Sequence, residues 1–107
     1  MINVKHSKKS EGMSLEISGH ANYADSGKDI VCASVSILLF ALIDTVADIH
    51  GLEKKIEIND IEGNTIVEIS KGSKKTFRTA KTAFDTVING LDILAINYPE
   101  YVNVEAV

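Results

Sequence analysis

The sequence predicts an α+β fold: two helices packed on one mostly antiparallel sheet, in the order strand–strand–helix–strand–strand–helix–strand. Three observations carry that expectation. Apolar residues alternate with polar ones in short runs near the start, in the middle and at the end of the chain. A long helical stretch contains the uninterrupted apolar run Ile37 to Ile43. A third stretch, Phe77 to Tyr98, repeats its apolar residues every three or four positions. With 107 residues and no repeat, low-complexity tract or linker, residues 1–107 are expected to form a single domain.

Ile2, Val4 and His6 alternate with Asn3 and Lys5, and Met13, Leu15, Ile17 and Gly19 with Ser14, Glu16, Ser18 and His20. These are two strands, and Ser10-Glu11-Gly12 between them favours a hairpin. After the polar loop Ala21 to Lys28, a helix is expected to run to about His50, with Gly51 as its stop and a length of about 36 Å at 1.5 Å per residue. Its middle is apolar all round, so burial on more than one side is expected, and a subunit interface with it. Ile56 and Ile58, then Thr65, Val67 and Ile69, form a second hairpin across Asp60 to Asn64. The amphipathic helix from Phe77 is closed by Pro99, and Val102, Val104 and Ala106 make the last strand. Periodicity leaves the strand order undetermined.

Fifteen acids against eleven bases give a net charge of −4, so direct nucleic-acid binding is not expected. The single cysteine, Cys32, has no internal disulfide partner, which fits a reducing compartment. Met1 to Lys9 lacks the apolar stretch of a signal peptide, and seven consecutive apolar residues fall short of the roughly 18 that span a bilayer. A soluble, cytoplasmic chain with no membrane partner is the expectation.

Chemistry concentrates in Gly19 to Ser36, which unites His20, Asp29, Cys32 and Ser36 around a loop and a helix start. Two caps are open. With Asp29 as N-cap, Cys32 lies in the first turn beside backbone N–H groups that also offer donors for an oxyanion. With Ser26 as N-cap, Ser26 to Asp29 has capping-box spacing and Cys32 lies one turn deeper. Asp29, Cys32 and Ser36 are spaced by three and four residues, so they share a helix face. A thiol and an imidazole on adjoining elements suit nucleophilic catalysis, the imidazole taking and returning the proton. The plain alternative is a small buried hydrophobe and a strand-end histidine. Lys71, Lys74, Lys75, Arg78 and Lys81 form a basic cluster that reads first as a solvated face. His6, His20, His50 and Cys32 match no zinc spacing, so no metal site is expected.

Gly19-His20-Ala21 and Asp29-Ile30-Val31-Cys32-Ala33-Ser34-Val35-Ser36 resemble the ribosomal-processing cysteine protease family, Prp, along nearly the whole chain. Ser34 stands where the family usually has a second alanine after the cysteine. The resemblance implies a cytoplasmic, homodimeric endopeptidase with no cofactor and no metal. Its substrate is the N-terminal extension of large-subunit ribosomal protein twenty-seven, with aromatic residues just before the cut. Cys32 is then the nucleophile and His20 the general base and acid, supported by Gly19, Asp29 and Ser36. The loop from Ala21 to Lys28 has few apolar anchors, and Tyr23, Ser26 and Gly27 are expected to form a substrate lid. A non-catalytic ribosome-associated binding module is the alternative.

Overall fold

The computed structural model describes residues 1–25, 27–59 and 63–107, the side chain of Lys71 excepted. Ser26, the turn residues 60–62 and the side chain of one member of the basic cluster thus lie outside the described residues. The elements are β1 (Ile2–Lys9), β2 (Gly12–Ser18), α1 (Ile30–Ala47), β3 (Glu53–Asn59), β4 (Asn64–Lys71), α2 (Lys74–Asn97) and β5 (Val102–Ala106). The five strands form one sheet in the order β3-β4-β2-β1-β5. β1 pairs with β5 in parallel and every other neighbour is antiparallel. The expected α+β order is therefore present, on a mostly antiparallel sheet.

Alternation sets which face of the sheet is dry. Val4 lies opposite Ile17, and Leu15 opposite Val67, so these side chains form rows across the sheet. Both helices cover that face. Phe84 and Leu91 of α2 and Val31, Leu42 and Val46 of α1 are fully buried against it, while the partner positions Ser14, Glu16 and Glu68 point to the polar side.

One expectation about α1 is corrected. It ends at Ala47 rather than His50, an 18-residue helix of about 27 Å. The Lys54 ammonium donates to the carbonyls of Val46, Ala47 and Ile49 at 2.8, 3.0 and 2.9 Å. A cation from β3 thereby satisfies the helix end and favours its negative pole. Within one chain its burial is one-sided: Val31, Val35, Leu39, Leu42, Ile43 and Val46 face inward, while Ile37 is 70% exposed and Phe40 43%. Across its whole length α1 has a mean hydropathy of 2.4, enough by length and composition to cross a membrane. Ser34, Ser36 and Asp44 interrupt its apolar runs, so the longest run understates it. In this fold its inward face is part of the hydrophobic core.

Candidate active site

Asp29 takes extended backbone angles and its carboxylate accepts from Cys32 N–H at 2.9 Å, so Asp29 is the N-cap and Cys32 the third residue of the helix. The other carboxylate oxygen accepts Tyr23 N–H at 3.0 Å, tying the loop to the helix start. These backbone donors, Cys32 N–H first, hold the Asp29 carboxyl below its ordinary value of 3.8. Ala33 N–H donates to Asp29 carbonyl at 3.0 Å. Of the helix-start N–H groups that are candidates for an oxyanion hole, these two are already engaged by Asp29.

His20 follows β2 after Gly19 and is exposed. It is brought to the helix start by Gly19, at φ +89, where a methyl would lie 2.3 Å from the Met1 carbonyl oxygen. No side chain fits there, and an L-residue disfavours that angle. Ala21, buried at 3%, then anchors the chain as it leaves the strand.

Two open pockets meet at this point. The smaller, about 180 Å³, has apolar walls from Ile2, Ile17, Val35 and Leu39 and a polar edge from Asn59, Asn64 and Thr65. The larger, about 420 Å³, is bordered by Asn22, Ala24, Gly27, Asp29 and Ala33. His20, half-buried Cys32 and Ser36 line both. The structure thus gathers His20, Asp29, Cys32 and Ser36 with Gly19, the last lining the smaller pocket, and Gly27 borders the larger.

Tyr23 departs from expectation. Its ring packs edge-on against Tyr98 and Tyr101, with centroids 5.7 and 5.1 Å apart. The loop's first half is anchored rather than loosely held, by two residues some 75 positions away in sequence. The apolar pocket walls and the residues Gly63, Asn64 and Thr65 went unread in the sequence. The signal that could have found Val35 and Leu39 is their helical spacing from Cys32, whereas Gly63 reads only as a turn glycine. Among the described residues no group of three His, Cys, Asp or Glu side chains is placed to hold a metal ion.

An α+β chain that sets a helix-start thiol and an imidazole on one divided cleft carries the groups of a cysteine hydrolase. Comparison with known proteins gives the family. Residues 1–103 match the model described as cysteine protease Prp, and the chain belongs to that family. The ribosomal processing cysteine protease Prp of Mycoplasma pneumoniae is 33% identical over 94 residues, covering 85% of this chain and 84% of the relative. The protein of that name from Bacillus subtilis is 28% identical over 93 residues, covering 86% and 83%. The fold matches the S. aureus essential ribosomal processing protease Prp, solved with a covalently linked product peptide, at a TM-score of 0.87 and 21% identity over the full length of both chains. SMU.848 from Streptococcus mutans matches at 0.77 and 26% identity, over 99% of this chain and 93% of that one.

Proposed function

We propose that this cysteine protease removes the N-terminal extension of large-subunit ribosomal protein twenty-seven, with Cys32 as nucleophile and His20 as general base and acid. The observation that carries this reading is the shared lining: Cys32 and His20 border the same two pockets, the smaller with mainly apolar walls and the larger of mixed character. An extended peptide crossing the thiol can place side chains in both. The Cys32 thiol gives its proton to His20, and the sulfur attacks the scissile carbonyl carbon. The tetrahedral adduct collapses by breaking the C–N bond, His20 returning the proton to the departing amine. Water, deprotonated by His20, then attacks the thioester and releases the acid product and the thiol. Asp29 keeps the helix start and Tyr23 in place and touches no reacting atom. Ser36, exposed one turn after Cys32, offers a hydroxyl to the substrate backbone.

On this reading the stretch after Tyr23 is the lid. Tyr23 is its fixed hinge on Tyr98 and Tyr101, and Gly27 borders the larger pocket. The working form is a homodimer in the cytoplasm. Support for two chains comes from the uncovered apolar side chains of both helices, Ile37 at 70%, Phe40 at 43%, Ile93 at 51% and Ile96 at 78% exposure. The test is incubation of the purified chain with the ribosomal protein carrying its extension, read by mass spectrometry. A single cut after an aromatic stretch near the N-terminus is expected. An intact substrate would refute the reading.

A further inference from the structure

The strand ladder between β2 and β4 reaches one residue past β2: Ser18 pairs with Asn64, and Gly19 N–H donates to Gly63 carbonyl at 3.0 Å. This brings Gly63 beside His20. A methyl carbon on Gly63 would lie 3.0 Å from Nε2 and 3.2 Å from Cε1 of His20, inside the usual contact distance. His20 is exposed to solvent, so the wall its ring rests against decides where it stands.

We infer that Gly63 is a positioning residue for His20, the lack of a side chain there being what lets the imidazole lie in the cleft with Cys32. The inference rests on the proposed role of His20. It makes the β3–β4 hairpin, an edge of the sheet remote in sequence from both His20 and Cys32, the back wall of the site. Gly63 also has a backbone reason to be glycine, since its φ is +62. Gly51 separates the two reasons. Its φ is +78 and a methyl there meets nothing within 4 Å.

The experiment compares Gly63→Ala with Gly51→Ala. Gly63→Ala is expected to lower kcat on the order of 10- to 100-fold with KM nearly unchanged, as for a small misplacement of a reacting group. Gly51→Ala keeps kcat within about twofold. The His20 ring resonances should shift in the first variant and stay in place in the second. Equal kcat in the two variants, or an unmoved ring in Gly63→Ala, would overturn the inference. Should Gly63→Ala fail to fold, the wild type decides through the nuclear Overhauser effect between His20 Hε1 and the Gly63 α-protons. Its presence supports the placement and its absence refutes it. That measurement needs no turnover, so an inactive wild type would remove the protease reading and leave the placement to the ring data.

Discussion

The two helices begin alike and serve differently. Asp29 caps α1 and Ser73 caps α2, each accepting the N–H of the residue three positions on, Cys32 at 2.9 Å and Thr76 at 3.2 Å. Ser73 and Thr76 also join their hydroxyls. Past the cap the chains diverge. α1 opens on Ile30 and Val31 and points its start at the end of β2, where His20 stands. α2 opens on Lys74 and Lys75, with Arg78 and Lys81 following, beside the β1–β2 turn at the other end of β1. Further along α2, Asp85 pairs with Lys8 and Lys81 at 2.6 and 2.9 Å. A capped helix start is therefore a common local device. What makes one of them a site is the topology that delivers an imidazole and two pockets to it.

The largest expected effect comes from moving the thiol between the two starts. Thr76→Cys in a Cys32→Ala background puts a thiol at the same capped position of α2, and no peptide cleavage is expected. Turnover by that double variant, read by chromatography of the products, would mean that the cap alone suffices.

Acid separates the two caps next. Asp29 has its carboxyl depressed by the backbone donors it accepts. Its contribution is complete above the unfolded value of 3.8 and is lost as pH falls through the lower folded value. Ser73 does not titrate. Hydrogen exchange should therefore show the first turn of α1 opening in acid before that of α2. Asp29→Asn should remove this difference while retaining the cap and most activity, because asparagine caps well. Simultaneous opening of both starts in the wild type would contradict the assignment.

The far end of α1 offers a smaller effect. Lys54→Met removes the cation from three terminal carbonyls and is expected to cost about 1 kcal/mol in urea unfolding, with activity unchanged. The smallest is midway along α2. Asp85 is depressed by its hydrogen bonds to Lys8 and then Lys81, but its side chain is 36% exposed, so Asp85→Asn should cost under about 1 kcal/mol and less in high salt. A cost at Asp85 above that at Lys54 would invert the ranking.

What could be read in the sequence was local. The α2 stripe, the alternating strands and the Asp29 cap are each set by residues within a turn or two of one another, and they appear in the structure. The end of α1 was misplaced because the group that terminates it, Lys54, belongs to the next strand. The loop looked unanchored because Tyr98 and Tyr101 reach Tyr23 only through the sheet order, which periodicity does not encode. Gly63 was hidden for the same reason: its neighbour His20 is more than forty residues away. The apolar face of α1 announced a need for cover, and within one chain that cover is supplied on one side.

Cleavage of a peptide spanning the ribosomal-protein extension by wild type, Cys32→Ala and His20→Ala tests the central claim most directly, with thermal melts run alongside. The account predicts that the wild type cuts the peptide. Cys32→Ala should show no turnover, and His20→Ala should lose at least about 100-fold, while both variants melt close to the wild type. Full turnover by either folded variant would contradict the assignment of thiol and imidazole.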